Sequence, residues 1–368
     1  MTTSRLHQLS ALGQSVWIDF LSRDMLRSGG LARLHEEGAV VGVTSNPTIF
    51  QKAISSGDAY DEQLRRELEE ESDPKELFLR LAVQDVRDAC GVLRPVWDEG
   101  GGLDGYVSLE VDPTLAYDTD ATIEEAARLH EWVDRPNLFV KIPATEPGLP
   151  AIEEMIARGR SINVTLIFAL DRYVEVAEAY VRGLERLVEA GGDPARVASV
   201  ASFFVSRVDT EADRRLEELN APSELAGKLA VANAKLAYQR YKEIFSGGRW
   251  DALAERGATP QRCLWASTST KNPAYRDVLY VEELIGPQTV NTMPEETISA
   301  FQDHGNVALT LEEGIAEAHE LFARIAEAGV DYDDVTATLE REGVEKFADS
   351  FAELLEGIRA KSGELVAT

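Results

Sequence analysis

Eight times along its 368 residues the chain alternates a short apolar, β-branched segment with a longer helical pattern, and this alternation constrains the fold most. The strand-like segments lie at 15–20, 39–44, 106–111, 138–143, 161–168, 197–205, 263–267 and 289–293. Helical patterns occupy 23–37, 73–96, 122–133, 151–158, 172–189, 209–245 and 295–303. Asp118 and Asp120 ahead of Thr122, and Asp171 ahead of Arg172, read as N-caps. Such alternation implies parallel strands joined by right-handed crossovers. The strands are apolar nearly throughout, which suits a sheet covered on both faces. Eight units predict an α/β fold closed as a (β/α)8 TIM barrel, with an open doubly wound sheet as the structural alternative.

Two connections, 47–105 and 207–262, are too long for one crossover helix and predict extra helices. Beyond the eighth strand, 311–328 and 331–359 read as two or three amphipathic helices. This C-terminal helical extension either packs on the barrel or covers its mouth. With no repeat, low-complexity tract or linker, one domain is expected over 1–368, with barrel strands at about 15–293 and terminal helices at about 311–360.

A net charge of −28 argues against nucleic acid and against an anionic membrane surface, both of which need clustered Lys and Arg. Residues 1–12 lack the apolar core of a signal peptide, and no stretch approaches a membrane span. Two cysteines, Cys90 and Cys263, without a CxxC pair fit a reducing compartment, so a cytoplasmic location is expected. Oligomeric state stays open, a homodimer included.

Lys141 stands inside the strand Leu138-Phe139-Val140-Lys141-Ile142-Pro143. Lysine is rarely buried unless paired or functional. An amine kept from water is more readily the free base, which attacks carbonyls and forms Schiff bases. The alternative is a strand-end lysine whose head reaches solvent. All eight strands end in polar residues: Asp19; Thr44, Ser45 and Asn46; Glu110 and Asp112; Thr145, beyond Lys141 itself; Asn163 and Thr165; Ser202, Ser206 and Arg207; Ser267, Thr268, Ser269 and Lys271; Asn291 and Thr292. In a barrel of this kind the active site sits at that end.

Asp19 and Glu110, carboxylates in apolar strand context, would face the same mouth as Lys141. An amine with two carboxylates suits imine chemistry: one moves the protons of carbinolamine formation and dehydration, the other acts on the hydroxyl of the bond being broken. A plain ion-pair partnership with Lys141 is the alternative. Arg207, Ser267 and Lys271, at the ends of the sixth and seventh strands, form a candidate phosphate site, against the alternative of solvated surface charge.

Other motifs fail. Gly100-Gly101-Gly102-Leu103-Asp104-Gly105 matches GxGxxG by letter but precedes a strand and opens no helix, so a dinucleotide site is not expected. The five histidines are scattered, so neither a metal nor another cofactor is expected. There is no GxSxG.

Taken together, six segments resemble the transaldolase family across most of 15–300. They are Gly42-Val43-Thr44-Ser45-Asn46-Pro47, Val107-Ser108-Leu109-Glu110-Val111-Asp112, Val140-Lys141-Ile142-Pro143-Ala144-Thr145, Ile162-Asn163-Val164-Thr165-Leu166-Ile167-Phe168, Ser202-Phe203-Phe204-Val205-Ser206-Arg207 and Trp265-Ala266-Ser267-Thr268-Ser269-Thr270-Lys271-Asn272-Pro273. The resemblance implies a reaction of the non-oxidative pentose phosphate pathway, with sugar phosphates as the small-molecule partners. A dihydroxyacetone unit would pass from sedoheptulose 7-phosphate to glyceraldehyde 3-phosphate, giving erythrose 4-phosphate and fructose 6-phosphate. It implies Lys141 as the Schiff-base lysine, Asp19 as general acid/base, and Glu110 and Thr165 as handlers of water and protons in imine formation. It also implies Asn46, Asn163 and Ser202 holding substrate hydroxyls, Phe204 in the pocket, and Arg207 and Ser267 on the phosphate.

Where many members carry an arginine two residues beyond the phosphate-site serine, this chain has Ser269, with Lys271 as the substitute. The long terminal helices resemble an actinobacterial branch. Two other functions stay open: a class I aldolase that releases dihydroxyacetone from fructose 6-phosphate, and a non-catalytic sugar-phosphate-binding barrel.

Overall fold

A computed structural model describes residues 4–55 and 57–367. Residues 1–3, the start of the segment expected to lack a signal peptide, and residues 56 and 368 lie outside the described residues. Eight parallel strands close in sequence order: β1 (Gln14–Ile18), β2 (Val40–Val43), β3 (Tyr106–Glu110), β4 (Leu138–Pro143), β5 (Ile162–Ile167), β6 (Ser199–Phe204), β7 (Arg262–Ala266) and β8 (Thr289–Met293). β1 pairs with β8 from Gln14↔Thr289 to Ile18↔Met293, which excludes the open doubly wound sheet. β4 and β8 match their predicted bounds; the other strands are shorter or shifted by one or two residues at an end. Asp19 and Thr44 therefore lie just beyond their strands rather than inside them.

The sharpest departure is the predicted helix over 209–245. It divides into Ser206–Glu218 and Leu229–Ile244, because Pro222 and Gly227 (φ +71°) sit between them. Asp118 caps the helix Thr119–Val133 by accepting from the Ala121 amide at 3.0 Å. Asp171 instead falls in the first turn of Leu170–Glu189. The connection after β2 carries three helices, Pro47–Ser55, Asp61–Glu67 and Pro74–Glu99. The terminal extension is two helices, Ile315–Glu327 and Tyr332–Ala367.

Trp17 fills the barrel interior because Gly42 makes room; a Cβ on Gly42 would stand 2.4 Å from the indole. At the N-terminal end of the barrel, buried Arg262 donates to Ser15 Oγ (2.8 Å) and Asp104 Oδ1 (3.0 Å). Ser15 Oγ and Trp17 Nε1 donate to the same carboxylate, at 2.6 and 3.1 Å. The loop that mimicked GxGxxG thus ends in an anchor for the barrel floor.

The terminal helix Tyr332–Ala367 crosses the opposite, C-terminal end. It buries Val335, Leu339, Val344, Phe347, Phe351, Leu354 and Ile358, spaced at the helical period. Phe351 meets Phe78 edge-on at 5.8 Å, and Phe78 meets Phe50 at 5.5 Å. Gly343 lets the helix approach β5; a Cβ there would reach 3.0 Å from Leu166 Cδ2. Leu166 itself has φ +60°, at a register shift between Val164 and Ile167. Among the described residues no helix is long and apolar enough to cross a membrane.

Candidate active site

Strand register builds the floor of the site. Glu110 is opposite Lys141, and Lys141 is opposite Asn163, so β3, β4 and β5 set these side chains in one row inside the barrel. Lys141 Nζ lies 3.2 Å from Glu110 Oε2, with the two side chains 6% and 3% exposed. The amine donates to Ser45 O at 3.0 Å. Its contact with Glu110 is an ion pair without hydrogen-bond alignment, and both Glu110 oxygens are buried with no hydrogen-bond partner. Burial pushes the Glu110 carboxyl up; Lys141 opposes the rise and Asp19 adds to it.

Asp19, half-buried just past β1, accepts a hydrogen bond from Thr44 Oγ1 at 2.7 Å. Burial raises its carboxyl above the usual range, opposed by the Thr44 hydrogen bond and then by Lys141, Lys271 and Arg207. The barrel mouth thus carries one buried amine and two carboxyls that hold protons more readily than in water.

A cavity of about 510 Å³ opens onto this floor. Asp19, Asn46, Lys141, Thr165, Ser202 and Phe204 line it, with Arg207, Ser267 and Lys271 on one side. Thr165 Oγ1 is buried without a hydrogen-bond partner. Asn46 accepts from the Ile49 amide at 3.0 Å, holding the start of the helix Pro47–Ser55. Two predicted residues stand behind the wall. Glu110 is reached through Lys141, and Asn163 is spent on its neighbours, donating to Ser108 Oγ (3.1 Å) and accepting from Ser202 Oγ (2.7 Å).

Arg207 packs its guanidinium 5.2 Å from the Phe204 ring and 5.9 Å from Phe347. Burial lowers its pKa, against the fields of Asp19 and Glu342. Ser267 takes φ +56° immediately after β7, and its Oγ lies 2.9 Å from Ser206 Oγ. Lys271 Nζ donates to Ser269 Oγ at 2.6 Å, so both residues that stand in place of the expected arginine belong to the wall. Among the described residues, Lys52, Arg207 and Lys271 enter no ion pair, yet all line this cavity. In a chain with 65 acidic against 37 basic residues, unmatched cations at one mouth suit an anionic ligand.

Some polar strand ends turn elsewhere. Asp112 pairs with Lys75 at 2.7 Å, and Thr145 donates to Ala116 O. Other wall residues escaped sequence reasoning. Phe347 arrives from the terminal helix, its ring 5.9 Å from Lys141 Nζ, and no local pattern separates it from an ordinary core aromatic. Thr48, Ile49 and Lys52 do carry a signal: at i, i+1 and i+4 of the helix Pro47–Ser55 they share one face.

A family model described as transaldolase/fructose-6-phosphate aldolase matches residues 16–358. The chain belongs to the transaldolase/fructose-6-phosphate aldolase family. Relatives each named transaldolase include a Frankia alni protein, 55% identical over 361 residues, covering 97% of both chains. An Acidothermus cellulolyticus protein is 56% identical over 354 residues, covering 96% of this chain and 95% of its own. One from Mycobacterium marinum is 52% identical over 362 residues, covering 97% and 96%. The long-chain, actinobacterial resemblance of the terminal helices agrees with these transaldolase/fructose-6-phosphate aldolase family members.

Proposed function

We propose that the protein is a transaldolase that moves a dihydroxyacetone unit between sugar phosphates through a Schiff base on Lys141. One observation carries the reading: the buried Lys141 amine, 3.2 Å from Glu110 and sharing a cavity with Asp19, in a chain of this family. The Lys141 amine adds to the C2 carbonyl of the donor ketose. Glu110 and Thr165 handle the protons and the water lost as carbinolamine becomes imine. Asp19 takes the C4 hydroxyl proton as the C3–C4 bond breaks. The imine receives the electron pair, so a neutral enamine forms on Lys141 in place of a free carbanion.

The aldehyde product leaves, an acceptor aldehyde enters, and Asp19 returns the proton as the new bond forms. Asn46, Asn163 and Ser202 order the hydroxyls of the three-carbon unit, Asn163 through its bond to Ser202. Arg207, Ser267 and Lys271 hold the phosphate. Sedoheptulose 7-phosphate as donor and glyceraldehyde 3-phosphate as acceptor, in a single cytoplasmic catalytic domain, complete the proposal. Sedimentation of the whole chain distinguishes monomer from homodimer.

Transfer is favoured over release of free dihydroxyacetone because the cavity wall carries the apolar rings of Phe204 and Phe347, the latter 5.9 Å from the Lys141 amine. Water excluded there cannot hydrolyse the intermediate early. The test is intact mass after fructose 6-phosphate and borohydride. A reduced three-carbon adduct is expected on the native chain and absent on folded Lys141→Met. An unmodified native chain would overturn the Schiff-base mechanism.

A further inference from the structure

The geometry points to a two-threonine relay, Thr292 to Thr44 to Asp19, that orients the acid/base carboxyl and holds its charged form. The inference rests on the reading of Asp19 as the proton carrier.

Thr44 Oγ1 is 2.7 Å from Asp19 Oδ1 and 2.7 Å from Thr292 Oγ1. A threonine hydroxyl has one proton to give. When Asp19 is a carboxylate it can only accept, so the Thr44 proton points to it. The Thr44 oxygen must then accept, and Thr292 is the donor. Distance alone leaves the direction of the threonine–threonine bond open; the charge on Asp19 fixes it.

Three neighbouring strands supply the chain. Thr292 belongs to β8, Asp19 follows β1 and Thr44 follows β2. Backbone pairing holds the spacing, since the Asp19 amide donates to Met293 O at 2.9 Å and the Thr44 amide to Ile18 O at 2.9 Å. Thr268, after β7, donates to Asn291 Oδ1 at 2.9 Å and lies 3.3 Å from Thr292 O, fixing the end of β8. Both relay threonines are buried and line the cavity.

Successive hydroxyl bonds polarise one another, so Thr292 makes Thr44 a stronger donor to the carboxylate. The carboxyl also stays in one orientation, with Oδ1 committed to Thr44 and Oδ2 left for the substrate hydroxyl. The charged groups acting on Asp19 are Lys141 from β4, Arg207 after β6, Lys271 after β7 and Glu110 from β3. Lys52 and Glu296 share the same cavity. None of them hydrogen-bonds to Asp19; Thr44 does.

Thr292 is therefore a positioning residue, and the relay acts on Asp19 in one direction. Loss of the outer hydroxyl weakens a bond to the charged carboxylate. That favours the protonated form and moves the acid limb of the kcat/KM profile to higher pH.

The test is the pH–rate profile of Thr292→Val, with Thr292→Ser and Asp19→Asn alongside. Thr292→Val should lose more activity below neutrality than above it. Thr292→Ser, which restores the hydroxyl, should return the limb towards the native position. A uniform loss at every pH, or an unmoved limb with Asp19→Asn inactive, overturns the relay while leaving Asp19 in its role. Near-native rate in Asp19→Asn overturns the acid/base reading instead, and the relay with it. Should Thr292→Val fail to fold, Thr44→Val reads the same limb from the inner hydroxyl and should move it in the same direction.

Discussion

Glu110 has two buried oxygens, neither with a hydrogen-bond donor, beside an amine at 3.2 Å. On the proposed mechanism this carboxyl passes protons to and from the carbinolamine, a task that a carboxyl free of other hydrogen bonds can perform. Glu110→Gln keeps the shape and removes the proton exchange. Its kcat should fall by roughly 10²–10⁴, the usual yield of one acid/base group. Rapid-quench borohydride trapping should show adduct forming slowly but to full extent; a native trapping rate would assign Glu110 to charge balance alone. Asp19, Glu110 and Lys141 were legible in the sequence because an ionisable residue in a β-branched run is costly without a purpose. Phe347 was not, because an aromatic on an amphipathic helix looks the same whether it faces a core or the Lys141 amine.

Among the elements, the terminal helix reaches the site from farthest away in sequence, through Phe347. Its residues anchor on β5 through Gly343 and on the helix Pro74–Glu99 through Phe351, which leaves Phe347 beside Lys141 and Arg207. Phe347→Ala should leave the barrel folded and raise free dihydroxyacetone release relative to transfer, assayed with fructose 6-phosphate with and without acceptor. An unchanged ratio would restrict Phe347 to packing.

A separate junction is Asp209, which accepts from the Ala230 amide (2.7 Å) and Tyr280 Oη (2.9 Å) and so joins three helical segments. Burial pushes its carboxyl up to about 7, and Asp213 adds to the rise. An unfolded aspartate titrates near ~3.9. The folded chain thus binds the extra proton between those values, and stability falls as pH rises across that window. Asp209→Asn should flatten Tm against pH there; an unchanged slope would place the cause elsewhere. The helical periods of these segments were readable, but their breaks were not, because one proline and one glycine had to outweigh a run of good helix formers.

For the whole molecule, the two ends of the barrel have different tasks. The Ser15–Asp104–Arg262 anchor lies opposite the cavity and touches none of its residues. Asp104→Ala would strand a buried guanidinium, at a cost of about 3–5 kcal/mol. Urea midpoints should show that loss while kcat of the folded fraction stays native; a loss of kcat would link the two ends. The eightfold alternation made this architecture legible, because parallel strands with helical crossovers leave few arrangements. Eight such units also made closure the expected arrangement over an open sheet, and the pairing of β1 with β8 bears it out.

That meeting sets an order of events during synthesis. Gln14 emerges from the ribosome early, yet its partner Thr289 is made 275 residues later (289 − 14). Until then the first strand has one free edge, open to any other extended chain. The roof over Lys141 is translated later still. A growing chain therefore carries an open strand edge and an uncovered Lys141 amine until its last elements are made.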